Sequence, residues 1–188
     1  AEFELFHFSE AHLSYKNALK FSKNFIGYSE NKFALLIGEI KLRLIWSSYR
    51  NADYVSATEY AQDFAREKGR YDHLLPKIAI DDVIRVGALS LYERKDPEFY
   101  IKLSYDKAAG DFAKMMIINS FYYYIAAGNA IDVEKYANPI EKSFFSTRLF
   151  PDFIKARLVA LNKIDNLNKY NEISYFGSAF IAKDSLWK

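Results

Sequence analysis

The N-terminus carries a carboxylate and a histidine spaced as metal ligands are on a helix. Glu4 and His7 are three residues apart, and Glu10 and His12 follow closely. A di-metal site in a helical bundle needs two Glu-x-x-His motifs and two further carboxylates from other helices. The sequence has no second Glu-x-x-His. We therefore expect ordinary helix residues at these positions and no metal centre.

Catalytic constellations are also missing from the sequence. The chain has three histidines and no cysteine, and it lacks Gly-x-Ser-x-Gly and both glycine-rich phosphate-binding motifs. The adjacent acids Asp81 and Asp82 would point about 100° apart on a helix, so they cannot form a facing catalytic pair. The sequence therefore predicts a non-catalytic protein that needs no cofactor.

Charge and aromatic patterning argue against direct nucleic-acid binding. The net charge is only +2, and the basic residues are interspersed with acidic ones along the whole chain instead of forming a basic stripe. Tyr122, Tyr123 and Tyr124 are successive residues, which cannot present one stacking platform on a helix. We expect Tyr123 and Tyr124 to pack in the core.

Nothing in the sequence marks the chain for export or membrane insertion. Its longest apolar run, residues 115–127, contains Asn119 and Ser120 and is too short to span a bilayer. No signal peptide is visible, and the absence of cysteine fits a reducing compartment. No linker divides the 188 residues. We expect a soluble, cytoplasmic protein with one domain over residues 1–188, which can also be a segment of a longer protein.

The elements that must position any site are helices, because strand signals are weak and Gly and Pro occur mainly where helices should break. Asp53 and Asp96 are predicted N-caps, and Gly69 is a predicted C-terminal stop. The sequence thus predicts an all-α protein. The predicted helices span residues 2–26, 31–50, 53–68, 74–94, 97–109, 111–127, 130–146, 151–164 and 167–183, and the helix over 111–127 should be the most enclosed because it is apolar nearly all round.

A short phrase recurs along these helices. Asn51-Ala52-Asp53-Tyr54 is followed by Tyr60, and 76 residues later Gly128-Asn129-Ala130 is followed by Tyr136. This separation is two periods of about 38 residues, which lies within the range of helical-hairpin repeats. Stacked repeats of this kind build an extended binding surface, so the spacing favours a binding function.

The recurring segments resemble the junction between the two helices of a tetratricopeptide repeat. The resemblance implies an α-solenoid of four to five antiparallel helix pairs. The copies are degenerate, since Ala52 replaces the usual turn glycine, the middle copy is lengthened and the closing proline is absent. The segments that carry the resemblance are residues 48–60, 87–108 and 124–136, with 15–18 as part of an earlier copy.

In this repeat family the first helix of each pair lines a concave face. The resemblance places Arg43, Trp46, Arg85, Asn119 and Tyr122 on that face. Arg can hold a carboxylate through two parallel hydrogen bonds, and Asn can pair with a peptide group as donor and acceptor. Together with the two aromatic side chains, this row would suit an extended peptide with an acidic group or a free C-terminus.

The same residues allow other interpretations. Arg43 and Arg85 can instead pair with Glu39 and Asp81 one helical turn earlier, as ordinary surface ion pairs. Asn119 lies inside an apolar helix and must find partners if it is buried, because a buried unpaired amide costs about 1–3 kcal/mol. The row of first-helix residues would be extended on the last pair by Lys155 or Arg157.

The resemblance implies recognition of a peptide or protein segment without catalysis. Degenerate domains of this size are similar to the sensor domains of peptide-responsive regulators in Gram-positive bacteria and their phages. One alternative is a scaffold that docks other proteins through its terminal helices, which exposed apolar patches on the first or last helix would favour. A second alternative is a metal-binding helical bundle or an enzyme. A homodimer fits either binding interpretation.

Overall fold

A computed structural model describes residues 7–22 and 29–185, and all regular structure within these ranges is helical. The prediction of an all-α protein is therefore confirmed. Two 3-10 turns, Lys68–Arg70 and Asn138–Ser143, follow the third and seventh helices. The α-helices are α1 (Phe8–Ser22), α2 (Glu30–Arg50), α3 (Tyr54–Arg66), α4 (Lys77–Arg94), α5 (Pro97–Ser104), α6 (Gly110–Ala126), α7 (Ala130–Ala137), α8 (Phe150–Lys163) and α9 (Leu167–Ser185).

Several predicted helix ends differ from the structure. Helix α5 stops at Ser104, well before residue 109, and α7 stops at Ala137 because the following Pro139 lies in a 3-10 turn and has no backbone N–H to continue the helix. Helix α3 ends at Arg66, three residues before Gly69. Helix α4 begins only after Pro76. The predicted ends of the first helix, residues 2 and 26, lie outside the described residues.

Both predicted N-caps are confirmed. The carboxylate of Asp53 accepts a hydrogen bond from the backbone N–H of Ser56 at 3.0 Å, and that of Asp96 accepts one from Phe99 at 3.2 Å. Each bond satisfies one of the free N–H groups in the first turn of a helix. These caps fix where α3 and α5 begin.

Four successive hairpins turn at a residue with left-handed backbone geometry. These residues are Ala52, Lys95, Gly128 and Asp165, with φ values of 58°, 52°, 79° and 54°. In three of the four turns, the N–H of the next residue donates to the carbonyl five positions earlier, as is typical of a Schellman-type helix end. These bonds run from Asp53 to Ser48, from Asn129 to Tyr124 and from Asn166 to Leu161, over 2.9, 2.8 and 3.1 Å.

The helices pack as neighbouring pairs, and the first helix of each new pair contacts both helices of the preceding pair. Helix α4 contacts both α2 and α3, α6 contacts both α4 and α5, and α8 contacts both α6 and α7. Helix α6 also contacts α3 and α7, which confirms the prediction that the helix over 111–127 is the most enclosed. The even-numbered helices α2, α4, α6 and α8 therefore follow one another in direct contact.

Aromatic rings fill the space between the later pairs. The ring of Tyr136 stacks on Tyr100 and Tyr124, with centroid separations of 4.6 and 5.1 Å. The hydroxyl of Tyr100, which is fully buried, donates to Ser120 Oγ at 2.7 Å. Ring pairs of this kind stabilise by about 0.5–1.5 kcal/mol each beyond their buried area. Tyr124 is fully buried as expected, whereas Tyr123 is only half-buried.

Helix α6 packs tightly against α4 at Gly87. A methyl group at this position would overlap the Sδ of Met116 and lie 3.2 Å from the Cβ of Ala61. The absence of a side chain therefore sets the spacing between α4 and α6. No helix within the described ranges is both long and apolar enough to cross a membrane.

Candidate functional site

An open groove with a volume of about 440 Å³ lies between α4 and α6. Each helix contributes residues one turn apart, so a single stripe of each helix faces the groove. The lining residues are Asp81, Ile84 and Arg85 from α4, and Met115, Asn119 and Tyr123 from α6. The groove thus combines a carboxylate, a guanidinium and an amide with three apolar or aromatic side chains.

Asn119 presents its amide to the groove. Its side chain is exposed, and it makes no hydrogen bond to any residue that the structure describes. Asn119 is not buried and so needs no internal partner, because this turn of α6 faces the gap beside α4 and not the core. The amide keeps its donors and its acceptor for solvent or a ligand.

Asp81 is the second open polar group. It is exposed at the start of the groove and has no ion pair within the described ranges. The suggested pairing of Arg85 with Asp81 is wrong, because Arg85 donates to Asp82 instead, from Nε at 3.1 Å and from Nη2 at 2.5 Å. Asp81 therefore remains available to a cationic group.

Asp82 joins Arg85 to Trp46 on the neighbouring helix α2. Its second oxygen accepts a hydrogen bond from the indole N–H of Trp46 at 2.6 Å. The guanidinium carbon of Arg85 lies 5.2 Å from the centroid of the Trp46 ring, and that of Arg50 lies 5.3 Å from it. The cation–π contact with Trp46 and the ion pair with Asp82 hold Arg85 in place, while its side chain stays 52% exposed.

The other two predicted residues lie outside this groove. Arg43 is exposed on α2, one turn before Trp46. Tyr122 is exposed about 100° around α6 from Tyr123, and its pKa is raised by burial and by the carboxylate of Asp152 on α8. Of the five predicted residues, Arg85 and Asn119 line the groove and Trp46 reaches it through Asp82 and Arg85.

Tyr49 and Glu93 lie near the end of the groove that Tyr123 occupies. Burial raises the pKa of Tyr49, and the carboxylate of Glu93 raises it further. Tyr123 is also close enough to act in the same direction. The cation of Arg50 acts on Tyr49 in the opposite direction, so this end of the groove is aromatic and has charges of both signs nearby.

Arg157 does not join the row of groove residues. Its side chain is fully buried and donates twice to Glu134, at 2.8 and 2.7 Å, once to Glu141 at 2.6 Å and once to Asn138 at 2.7 Å. Burial opposes the charge of Arg157, but these carboxylates outweigh burial and raise its pKa. Arg157 thus fastens α8 to α7 and to the 3-10 turn that follows α7.

Counting back from the hairpin turns shows which residue of α8 is equivalent to Arg85 of α4. Arg85 lies ten residues before the left-handed residue Lys95, and Lys155 lies ten residues before Asp165. Arg157 is only eight residues before Asp165, which turns it about 200° around the helix from the Arg85 position. Lys155 is exposed at the position equivalent to Arg85, whereas Arg157 is buried and bonds to Glu134 of α7.

The N-terminal histidines show no metal geometry. His7 is exposed, Glu4 lies outside the described residues, and no group of three potential ligands occurs in the part of the chain that the structure describes. The Nδ1 of His12 lies 3.2 Å from Ser48 Oγ. Burial lowers the pKa of His12, and the nearby Lys16 lowers it further. His12 belongs to the contact between α1 and α2.

Several residues of the site are not among the five predicted ones, and Asp82 and Tyr123 are two of them. Asp82 could have been found from its spacing, since it is three residues before Arg85 and such residues are neighbours on a helix. Tyr123 could have been found because it continues the four-residue spacing of Met115 and Asn119. The choice of Tyr122 instead depended on knowing which flank of α6 faces α4.

Comparisons with known proteins add no relative. No family model matches the chain, and neither a search of curated proteins nor a search of solved structures finds a match. The function has to be inferred from the site itself.

Proposed function

We propose that this protein is a non-catalytic helical-repeat module that binds a short peptide or protein segment in the groove between α4 and α6. The observation that carries the proposal is the open amide of Asn119, which lines the same groove as the unpaired carboxylate of Asp81 and the half-exposed guanidinium of Arg85. An amide in this setting can pair with a peptide group as both donor and acceptor. The two charges would then orient the segment along the groove.

The size and walls of the groove suit a few residues of an extended chain. Its volume of about 440 Å³ falls within the range of about 300–1,000 Å³ that is usual for ligand sites. Ile84, Met115 and Tyr123 provide apolar contacts, and methionine adapts well to differently shaped ligand side chains. Arg85 donates to Asp82 on one side only, so it retains donors for a ligand carboxylate.

The hairpin arrangement supports a solenoid of antiparallel helix pairs. Four turns use the same left-handed residue, and each even-numbered helix contacts the next one. In such an array each pair contacts mainly its neighbours, and one face is formed by the first helix of every pair. We assign Arg43, Arg85 and Asn119, which are all exposed, to this face.

A ligand that contacts both α4 and α6 could act as a regulatory signal. It would stabilise one angle between two adjacent hairpins over others and thereby shift the shape of the whole array. This coupling is consistent with the resemblance to the sensor domains of peptide-responsive regulators. Cytoplasmic location and a homodimer remain predictions of the same proposal.

The proposal is tested by thermal unfolding of the full chain with a library of short synthetic peptides. At a free peptide concentration about 100 times its Kd, binding should add about 2.7 kcal/mol to the free energy of unfolding. Asn119→Ala and Asp81→Asn should weaken a hit about tenfold, and Asn17→Ala on the exposed face of α1 is the matched control. A hit of equal strength in all variants would contradict the proposed site.

A scaffold function is the second candidate, because α1 exposes two large apolar side chains. Leu13 and Phe21 are 60% and 59% exposed, and they lie two turns apart on this helix. Exposed apolar surface at a terminal helix is typical of a docking site. Cross-linking in cell extract should then place partner contacts on α1, whereas contacts confined to the α4–α6 groove would exclude this function.

A further inference from the structure

The way successive helices dock on one another leaves an acceptor surface at the last hairpin. Helix α4 lies against both members of the pair α2 and α3, α6 lies against α4 and α5, and α8 lies against α6 and α7. Each of these pairs therefore presents a groove that the next helix fills. The pair α8 and α9 presents the same kind of surface, and no described helix occupies it.

This surface is a groove of about 520 Å³, larger than the one between α4 and α6. Gly177 lets α9 approach α8 closely, because a methyl group there would lie 2.9 Å from the Cγ2 of Ile154. Helix α8 contributes Ile154, Leu158 and Val159 to the groove, and α9 contributes Tyr170. The floor is therefore apolar, as a surface for helix docking requires.

Two lysines line the same groove. Lys155 and Lys163 are exposed on α8 and form no ion pair within the described ranges. The remaining polar lining residues in the described part of the chain are neutral, and none is acidic. The described lining of the groove thus has a net positive charge and contains no counter-charge, so it is complementary to an acidic partner.

The earlier junctions show how a docked helix is held in this chain. Each incoming helix forms a polar bond with the preceding hairpin in addition to apolar contacts. The bonds join Trp46 to Asp82 of α4 at 2.6 Å, Tyr100 to Ser120 of α6 at 2.7 Å, and Glu134 to Arg157 of α8 at 2.7 Å. At the last hairpin, the side chains available for such a bond include Lys155 and Lys163.

We propose that the groove between α8 and α9 binds an amphipathic helix of a partner protein, with Asp or Glu beside its apolar stripe. The apolar stripe would cover the floor of the groove, and the acidic residues would pair with Lys155 and Lys163. The partner helix would take the place that the next helix takes at each earlier hairpin. No described residue lines both this groove and the α4–α6 groove, so either proposal can fail without the other.

The test uses a fluorescein-labelled synthetic helix of Leu, Ala and Glu, about 18 residues long, which corresponds to about 27 Å. A second probe has Lys in place of every Glu. Fluorescence anisotropy against the full chain should show binding of the Glu helix with a Kd on the order of 10 µM, and binding of the Lys helix at least about tenfold weaker.

Charge reversal then identifies the site. The double variant Lys155→Glu/Lys163→Glu should bind the Glu helix at least about tenfold more weakly than the parent chain does, and it should bind the Lys helix more tightly. Because both lysines are exposed, the variant should fold normally, which its thermal unfolding verifies. The matched control is Lys102→Glu/Lys135→Glu, with both residues exposed on α5 and α7. Ser178→Trp, which fills the groove without changing charge, should weaken both probes.

Other outcomes would overturn the proposal. These are no binding of the Glu helix up to about 1 mM, equal affinity for both helices, and binding that survives the lysine reversal and Ser178→Trp. A second copy of the chain is a different occupant. It would appear as concentration-dependent self-association in sedimentation that the lysine reversal abolishes, and it would also overturn the assignment to a partner protein.

Discussion

Two arginines on even-numbered helices, Arg85 and Arg157, are used in opposite ways. Arg157 is fully buried, and its guanidinium donates four hydrogen bonds to Glu134, Glu141 and Asn138. Arg85 is 52% exposed and is held by one carboxylate and one ring. The first arginine fastens two helices together, whereas the second is positioned but keeps hydrogen-bonding capacity for a ligand.

The difference depends on rotation around the helix and not on residue type. Measured from the left-handed turn residue of its own hairpin, Arg157 lies two positions later than Arg85 does. Two positions correspond to about 200° on a helix, so one side chain faces the preceding pair and the other faces the open groove. The same residue type can therefore be structural in one hairpin and available for binding in another.

The largest expected effect comes from Arg157→Met. The substitution removes four hydrogen bonds and leaves Glu134 and Glu141 without their cation, so it should cost about 3–5 kcal/mol of unfolding free energy. Urea denaturation followed by circular dichroism measures this loss. Peptide binding to the α4–α6 groove should be unchanged at temperatures where the variant is folded.

The matched control for this substitution is Arg148→Met. Arg148 also pairs with an acid, Asp111, but its side chain is 78% exposed, so its loss should cost less than about 0.5 kcal/mol. Adding Glu134→Gln and Glu141→Gln to Arg157→Met should restore more than about 1 kcal/mol. An Arg157→Met chain as stable as the control would disprove the structural role of this cluster.

The fold class could be predicted from sequence because Gly, Pro and capping residues mark helix ends locally. Asp53 and Asp96 cap α3 and α5 as expected. The sites could not be predicted in the same way, because the exposure of Asn119 and the burial of Arg157 depend on how neighbouring helices are rotated. Rotation is set by contacts between distant residues, such as Gly87 with Met116. The spacing of sequence motifs alone does not predict how each helix is rotated about its axis.

The next largest effect on stability concerns the spacing between α4 and α6 at Gly87, two residues after Arg85. Gly87→Ala would place a methyl group against Met116 and Ala61, so it should cost about 1–3 kcal/mol and push α4 away from α6. The same substitution should therefore also weaken peptide binding in the groove. Met116→Ala in the Gly87→Ala background should relieve the overlap, and the double variant would then be more stable than expected from the sum of its single changes.

The measurement is again the free energy of unfolding. If Gly87→Ala left it unchanged, the close contact at Gly87 would not determine the spacing between α4 and α6. Gly69→Ala is the control, because no atom lies within 4 Å of a methyl group at that position and its effect should stay within about 0.5 kcal/mol.

A smaller effect tests whether the turns of successive hairpins belong to one equivalent series. Ala52 and Gly128 occupy the same left-handed turn position, with φ values of 58° and 79°. Ala52→Gly should raise the free energy of unfolding by about 0.5–1 kcal/mol, and Gly128→Ala should lower it by about 1 kcal/mol. Thermal unfolding of the two variants measures both signs. If the two substitutions changed stability in the same direction, the turns would not be equivalent.

The smallest expected change in stability belongs to Arg85→Met. Its ion pair with Asp82 is half-exposed, and Trp46 can keep its own bond to Asp82, so the loss should not exceed about 0.5–1 kcal/mol. Binding of a peptide hit should nevertheless fall about tenfold or more, because the ligand loses its cationic partner in the groove. Arg85→Lys should restore part of the affinity but not the paired hydrogen bonds that a guanidinium provides. A peptide that binds Arg85→Met as tightly as the parent chain would place Arg85 with Arg157 among the structural residues, and the distinction between the two arginines would then be one of solvent exposure alone.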